Sequence, residues 1–437
     1  MRRPSTRRGF LAGSAGLAAA LPFSCAAPGS PDSTGASSRE ADETARLDEL
    51  LSSLTDQSGS IEPITAAERV ARRARCAALL SEAGVDALLM ESGATMTYLA
   101  GIGWGRSERL FGLVVLADGD HFWISPAFEV GKASLRIGAE DGPGGELVPW
   151  DEHEYAFGPL AAELRRRGVS RVAIEPELRY AFADGLAREI GDANVVSGRD
   201  VVVALRGPKD AHELALLRRA NELTKLAIRT VAEHVTLGMD GVAIGAMLNH
   251  AHRRMGMKNP WNLSLVGPEA ALPHGGKREL KLTPGDVFLT DTGASLHDYC
   301  SDITRTWVVG APPSREVETI WNTVRDAQRA AFDAMGPGVE CRAIDQAGRA
   351  VIDAAGYGPG YRTFTHRLGH GIGLRGHEDP YFDGGSRVVL RPGMTLSNEP
   401  GIYLPGKLGV RIEDIIAITS DGAEVFGDWQ ASPASPA

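Results

Sequence analysis

The stretch FLTDTGASLHDYCSDITRTWVVG, residues 288–310, contains two β-branched runs separated by the four residues Ser-Leu-His-Asp. Such runs joined by a short polar segment predict a β-hairpin. With the turn centred on Leu296 and His297, Asp291 and Asp302 are expected opposite each other on one face. Like charges opposed across a strand pair are destabilising, so these carboxylates need a shared proton or a cation between them. A metal ion is the better interpretation of the pair.

Two later phrases place a histidine and a glutamate in extended backbone. In HRLGHGIGL (366–374), the glycines disfavour a helix and indicate a strand or loop around His370 whose backbone approaches the site closely. In SNEPGIYLPG (397–406), the proline after Glu399 biases that residue to extended geometry. Both side chains are candidate metal ligands.

A last β-rich phrase, GVRIEDIIAI (409–418), supplies another acid. Its β-branched content predicts a strand, and the two-residue period places Arg411 and Glu413 on one face and Asp414 on the other. Glu413, with Arg411 beside it, is therefore the expected ligand. The complete candidate set is Asp291, Asp302, His370, Glu399 and Glu413.

The chemistry of this set narrows the choice of metal. Four carboxylates and one imidazole, without a thiolate, suit Mn or Co and tolerate Zn. Four carboxylates carry a charge of about −4, which two divalent ions balance, and such a pair can lower the pKa of a bridging water toward ~7. We therefore expect two divalent ions per chain, Mn before Co or Zn. Cys300 lies close to the set, but we expect a buried small side chain there rather than a sixth ligand.

These phrases resemble those of the metallopeptidase family that contains methionine aminopeptidase, Xaa-Pro aminopeptidase and prolidase, known for the pita-bread fold. The resemblance covers roughly residues 64–428, and the order Asp, Asp, His, Glu, Glu matches phrase by phrase. It implies an α/β (α+β) architecture in which a creatinase/prolidase-like N-terminal domain precedes a pita-bread catalytic domain.

The same resemblance implies a role for each ligand. Asp302 and Glu413 would bridge both metal ions, Asp291 would bind one of them, and His370 and Glu399 would bind the other. Glu399 would also be the proton shuttle.

Three further histidines and an arginine match the family's pattern. His274, in ALPHGG, resembles the histidine that contacts substrate near the scissile bond, and His377, in LRGHEDP, the one that stabilises the tetrahedral intermediate. His366 resembles a residue that lines the substrate pocket. Arg411 resembles the arginine that orients a ligand carboxylate, which agrees with its place on the strand face of Glu413.

The activity implied is hydrolysis of Xaa-Pro bonds in proline-containing dipeptides or short peptides, as by prolidase, in a protein expected to be a homodimer. Release of the N-terminal residue from longer peptides, as by Xaa-Pro aminopeptidase, stays open as an alternative. A creatinase-like hydrolase without metals, or an inactive binding module, should have lost several of the ligands. All five are present.

The beginning of the chain predicts export. TRRGFL (6–11), followed by an Ala-, Gly- and Leu-rich run, has the layout of a Tat-type signal peptide, assigned to residues 1–27. Cleavage near Ala26 or Ala27 and lipid modification of Cys25 are the two alternatives. A periplasmic or extracytoplasmic location follows, with lipid anchoring through Cys25 as an option.

Composition supports a two-domain globular enzyme of 437 residues, 43% hydrophobic and 23% charged. The net charge of −10, without a basic run after the signal, argues against a nucleic-acid partner. No other stretch has the ~18 apolar residues that span a bilayer. The remaining cysteines, Cys76, Cys300 and Cys341, are widely spaced, so disulfides are not expected to organise the fold.

Changes in composition set the domain boundaries. Residues 28–60 are rich in Ser, Ala, Gly, Asp and Pro and are predicted to be a flexible linker with a short helix around 47–54. Thr65 and Glu68 then form a capping-box pattern that starts a helix. The N-terminal domain is assigned to residues 61–207, where VDALLM, LFGLVVLADGDHFWIS and SRVAIEP alternate with helical stretches.

The phrase RGPK (206–209) separates this domain from the catalytic domain, assigned to residues 208–430. Asp210 and Glu213 repeat the capping-box pattern, and apolar residues after them follow helical spacing. A helix is therefore expected at the start of the catalytic domain.

Overall fold

The computed structural model describes residues 33–276 and 280–437. The predicted signal peptide, with Cys25, lies outside the described residues. Among the helices of the described part, none has both the length and the apolar content that a membrane crossing requires. Residues 50–437 form one compact unit.

The first helix, α1 (Ser33–Leu50), corrects the linker prediction. A short helix was expected around 47–54 in an otherwise flexible segment, but the helix starts earlier and ends sooner. The reason is local, because READETARLDEL (39–50) consists mainly of Glu, Ala, Arg and Leu, which favour helix. The Ser- and Gly-rich composition of the whole segment concealed this run.

The next part of the chain forms a six-stranded sheet covered by helices on both faces. Its helices are α2 (Ala66–Glu82), α3 (Ala94–Ala100), α4 (Val130–Ile137), α5 (Phe157–Arg166), α6 (Tyr180–Ile190) and α7 (Arg199–Arg206). Its strands are β1 (Ala87–Glu91), β2 (Gly112–Leu116), β3 (His121–Pro126), β4 (Glu146–Trp150), β5 (Val172–Ile174) and β6 (Val195–Ser197). The order is β4-β3-β2-β1-β5-β6.

Side-chain alternation along the strands creates two apolar cores, one on each face of this sheet. On β1, Leu88 and Met90 pack with α2, α3, α4 and α7, whereas Ala87 and Leu89 pack with α5 and α6. Helix α2 begins with the predicted capping box, in which the Glu68 N–H donates to Thr65 Oγ1 at 3.2 Å.

The remaining helices and strands build the second half of the unit. The helices are α8 (Ala211–Ala232), α9 (Gly241–Arg254), α10 (Arg315–Asp333) and α11 (Cys341–Ala354). The first strands are β7 (Lys258–Val266), β8 (Val287–Leu296), β9 (Tyr299–Cys300) and β10 (Ile303–Val308). The later strands are β11 (Gly369–Gly371), β12 (Glu378–Phe382), β13 (Thr395–Asn398), β14 (Gly401–Leu404), β15 (Leu408–Arg411), β16 (Asp414–Ile418) and β17 (Ala423–Val425).

These strands form three sheets. One has the order β10-β8-β7, with β9 paired to β8; another has the order β12-β11-β13-β16-β17; and β14 pairs with β15. An apolar core joins α10 and α11 to β13, β14, β15 and β16. Helix α8 has the capping box predicted at Asp210 and Glu213. Cys76, Cys300 and Cys341 are free thiols.

The predicted hairpin is confirmed, but its register is corrected. The two turn residues are His297 and Asp298, which both have positive φ, as a two-residue type I′ hairpin loop requires. Asp291 consequently pairs with Thr304, and Asp302 lies two residues away along the partner strand. The shift moves pairs by an even number of residues, so both aspartates keep the same face although they are not directly opposed.

The phrase predicted as a single strand at 409–418 forms two strands, β15 and β16, which belong to different sheets. The break falls at Ile412 and Glu413, between Arg411 at the end of β15 and Asp414 at the start of β16. Arg411 and Glu413 still line one cavity, and Asp414 points away from it, as the two-residue period predicted.

Candidate metal centre

The five predicted ligands line one cavity of about 370 Å³. Each lies on a strand or directly next to a strand end, in both larger sheets. Their ligand atoms form two overlapping groups in which all atoms lie within 4.8 Å of one another. One group comprises Asp291, Asp302 and Glu413, and the other comprises His370, Glu399 and Glu413. Glu413 is common to both, as expected of a carboxylate placed between two neighbouring cations.

His370 presents a free nitrogen to this cavity. It lies on β11, where its Nδ1 is 3.1 Å from the Gly371 carbonyl oxygen, so the proton of the neutral ring belongs on Nδ1. Burial lowers the pKa of His370 to about 3, and the neighbouring His377 contributes, so the ring is neutral at physiological pH. Nε2 then directs its lone pair at Glu399 Oε1, 3.4 Å away, and at Asp302 Oδ2, 3.6 Å away.

The buried carboxylates fit a metal pair. Burial raises the pKa of Asp302 well above its ordinary value, and the charges of Glu413, Asp291 and Glu399 raise it further. In the described residues, Asp291 Oδ1 and Asp302 Oδ1 are buried and have no hydrogen-bond partner. One space is therefore faced by the lone pair of His370, by two carboxylate oxygens without a partner and by acids that repel one another. Cations bound in this space would satisfy all three.

Arg411 holds two of the candidate ligands through hydrogen bonds. Its Nη2 donates to Asp291 Oδ2 at 2.8 Å, and its Nε donates to Thr304 Oγ1 at 3.1 Å. Thr304 in turn donates to Glu413 Oε2 at 2.7 Å. The arginine therefore fixes the rotamers of two candidate ligands, one directly and one through a hydroxyl.

A family comparison agrees with this geometry. A model of metallopeptidase family M24 matches residues 215–420, and one of the creatinase/prolidase N-terminal domain matches residues 72–207. An Xaa-Pro dipeptidase of Lactobacillus delbrueckii subsp. lactis is 34% identical over 356 residues, covering 79% of this chain and 94% of that protein. The chain belongs to metallopeptidase family M24.

Solved structures of the family share the fold. The dipeptidase PepE from Mycobacterium ulcerans matches with a TM-score of 0.79 and 31% identity, covering 86% of this chain and 100% of that one. An X-Pro aminopeptidase from Thermotoga maritima matches with a TM-score of 0.71 and 27% identity, covering 82% and 98%. The predicted pita-bread architecture is thus confirmed. M24 enzymes are hydrolases that use a pair of metal ions, and the acidic and histidine groups described above could hold them here.

The three further histidines predicted from the M24 resemblance all line the cavity. The ring of His377 stacks on His370 at a centroid distance of 3.7 Å. His366 Nε2 lies 2.7 Å from the Tyr403 hydroxyl, and burial lowers the pKa of His366 to about 3, helped by the charge of Arg411. His274 lies in an exposed turn at the cavity rim.

Sequence reasoning missed two residues that support the M24 site. Thr304 could have been found, because it lies two residues after Asp302 and therefore on the same strand face. Tyr403 gave no such signal. Its hydroxyl accepts from Arg411 Nη1 at 3.0 Å, across the β14–β15 pair, and contacts His366, which is 37 residues away in sequence.

Proposed function

We propose that this M24 enzyme hydrolyses Xaa-Pro bonds in dipeptides and short peptides. The observation that carries the proposal is the convergence of two ligand groups on Glu413 in a cavity that also holds three histidines. The likeness to an Xaa-Pro dipeptidase over nearly that protein's whole length gives the substrate class. A cavity of about 370 Å³ suits a small ligand.

We propose Mn as the native metal, and Co or Zn suit the same donors. When bound, a pair of divalent ions supplies Lewis acidity to the substrate carbonyl and lowers the pKa of water toward ~7. Asp291, Asp302, His370, Glu399 and Glu413 would hold the ions, in the two overlapping groups that share Glu413. Arg411 and Thr304 keep Asp291 and Glu413 in place.

The chain's own residues would then move the protons. Glu399 would accept the proton of the attacking water at a carboxylate oxygen and pass it to the proline nitrogen as the C–N bond breaks. Ser397 Oγ donates to Glu399 Oε1 at 3.2 Å. His377 and His274, which are exposed and line the cavity, would contact the substrate. A ring N–H of His377 would stabilise the negative charge that develops on the carbonyl oxygen. An Xaa-Pro bond lacks the amide N–H that many peptidases bind, so recognition by metal ions and cavity shape suits it.

Release of the N-terminal residue from longer peptides is the second candidate. It is favoured by the likeness to the X-Pro aminopeptidase of Thermotoga maritima. The two activities differ in whether the cavity accepts a chain that continues after proline.

One experiment tests the substrate and the metal together. Protein loaded with Mn, then chelated and then restored, is given Gly-Pro, Ala-Pro, the tripeptide Ala-Pro-Ala and, as a matched control, Ala-Ala. Metal-dependent release of proline from the dipeptides alone supports the dipeptidase, and cleavage of Ala-Pro-Ala supports the aminopeptidase. If protein with two bound metal ions cleaves none of the three proline peptides, or cleaves Ala-Ala as well as it cleaves them, the proposed substrate class is wrong.

Replacing His377 with alanine should lower kcat by about 10²-fold, because a donor to developing negative charge acts mainly in the transition state. Metal content should stay at the wild-type value, since the five proposed ligands remain. The measurement is steady-state kinetics together with metal analysis. A wild-type kcat would remove His377 from the mechanism.

We also propose that the protein is exported and forms a homodimer. The twin-arginine phrase at 6–11 supports export. Cell fractionation of the full chain and of a variant with Arg7 and Arg8 replaced by lysine tests it. Retention of both proteins in the cytoplasm would contradict export.

A further inference from the structure

His377 depends on its neighbours in the chain for its position. It ends the loop between β11 and β12 and directly precedes Glu378, the first residue of β12. Within residues 33–276 and 280–437, its ring has the stacking contact with His370 but no hydrogen bond from another side chain. Apart from this stack, the placement of the ring depends on the backbone that carries it, which continues at residue 378 into β12.

Glu378 is fixed by two cations. Its Oε2 accepts from Arg206 Nη2 at 2.5 Å, and its Oε1 accepts from Lys209 Nζ at 2.8 Å. The three side chains are at most 10% exposed. Arg206 ends α7 and Lys209 lies just before α8, so both cations come from the segment that links the two halves of the unit.

The sequence leaves room for this ion cluster. A Cβ on Gly373 would lie 2.5 Å from Glu378 Oε1 and 3.1 Å from Lys209 Cε. A Cβ on Gly371 would lie 2.5 Å from the Glu378 carbonyl oxygen. Both are closer than side chains allow, so two glycines of HRLGHGIGL are required for β12 and its carboxylate to approach β11.

The cluster continues into the N-terminal sheet. Arg206 Nη1 donates to Thr95 Oγ1 at 3.1 Å, and that hydroxyl donates to Glu175 Oε1 at 2.9 Å. Buried ion pairs seldom add much stability, because the desolvation of the charges offsets their attraction. This cluster lies next to a candidate catalytic loop. The position that it imposes on Glu378 explains it better than a gain in stability does.

We propose that Glu378, held by Arg206 and Lys209, is a positioning residue that places the His377 ring for catalysis. The N-terminal half of the unit would thereby set the geometry of the metal cavity. This inference rests on the role proposed above for His377. A displacement of about 1 Å at such a group can lower the rate by about 10²-fold, so the effect should be large although Glu378 does not touch substrate.

The test uses two variants and a matched control. Glu378→Gln removes the charge and keeps the shape, and Gly373→Ala keeps every charge but displaces the carboxylate. Arg199→Gln is the control, because Arg199 is also on α7 and pairs with Asp379 of β12, but its side chain is 50% exposed. We expect both test variants to lower kcat by about tenfold or more, with unchanged KM and metal content, and the control to stay within about twofold.

A double-mutant cycle separates positioning from general damage. If Glu378 acts through His377, Glu378→Gln should change kcat by less than about twofold in a His377→Ala background. An equal loss in both backgrounds would overturn the inference and leave the proposed function standing. A normal kcat for His377→Ala would overturn the role of His377 itself, and the inference with it.

A crystal structure of metal-loaded Glu378→Gln gives a readout that does not depend on activity. The His370–His377 centroid distance should lengthen from 3.7 Å while the five ligand side chains stay in place. An unchanged ring stack would contradict the positioning role. If Glu378→Gln does not fold, the same measurements on Gly373→Ala decide the question.

Discussion

Asp302→Ala should abolish hydrolysis and reduce the number of metal ions bound per chain, while the fold remains. Asp302 is 4% exposed, and its Oδ2 faces His370 Nε2 at 3.6 Å. It belongs to the group with Asp291 and Glu413, and the His370 that its Oδ2 faces belongs to the other group of candidate ligands. A carboxylate between two cation positions serves both, so its loss should lower kcat/KM by at least about 10³-fold.

The metal-free variant should be at least as stable as metal-free wild-type protein. Without a cation, the buried acids repel one another, and alanine removes one of the charges. Metal addition should therefore raise the Tm of wild-type protein clearly and that of Asp302→Ala only slightly. Metal analysis, kinetics and thermal unfolding check these outcomes.

The matched control is Asp200→Ala, which makes the same substitution at a fully exposed position of α7. It should leave activity, metal content and Tm unchanged. Turnover by metal-replete Asp302→Ala at the wild-type rate would refute the assignment of Asp302 as a shared ligand.

Sequence alone could place the candidate ligands Asp291, Asp302 and Glu413 because strands present alternate residues to one face. The two-residue period selected Glu413 over Asp414, and the structure has the first in the cavity and the second behind it. The same period kept Asp291 and Asp302 on one face even though the turn was placed one residue too early. A turn misplaced by one residue shifts each cross-strand pair by two residues, so every side chain stays on its own face of the sheet.

Contacts between distant segments could not be predicted in this way. Thr304 links Arg411 to Glu413 across more than 100 positions of sequence, and Lys209 reaches Glu378 across 169. Each of these side chains is polar and unremarkable in its local phrase. Their partners are set by how sheets and helices pack, which a single sequence without the fold does not contain.

The residue behind the cavity, Asp414, is the centre of a buried ion cluster. It is 0% exposed, and its Oδ1 accepts from Lys225 Nζ at 2.6 Å and from Arg305 Nη2 at 2.8 Å. Its Oδ2 accepts from Gln328 Nε2 at 3.1 Å. Arg305 also donates to the Glu413 carbonyl oxygen at 2.7 Å, so this cluster supports the backbone of a candidate ligand.

Asp414→Asn should lower the free energy of unfolding by about 3–5 kcal/mol, because it leaves two buried cations without their anion. The surface pair Arg218–Glu424, whose side chains are 37% and 41% exposed, provides the comparison. Glu424→Gln, on the neighbouring strand β17, should cost less than about 1 kcal/mol. The measurement is the urea midpoint of metal-free protein at neutral pH, with the slope of the transition checked for each variant.

The loss of unfolding free energy in Asp414→Asn, compared with the loss in Glu424→Gln, shows whether the Asp414 cluster stabilises the fold. A large loss for Asp414→Asn, with reduced metal affinity, would show that the cluster holds Glu413 in place as well as stabilising the fold. If Asp414→Asn unfolds at the wild-type midpoint, Lys225 and Arg305 do not depend on this carboxylate, and the support of Glu413 must come from Thr304 and Arg411 on the cavity side instead.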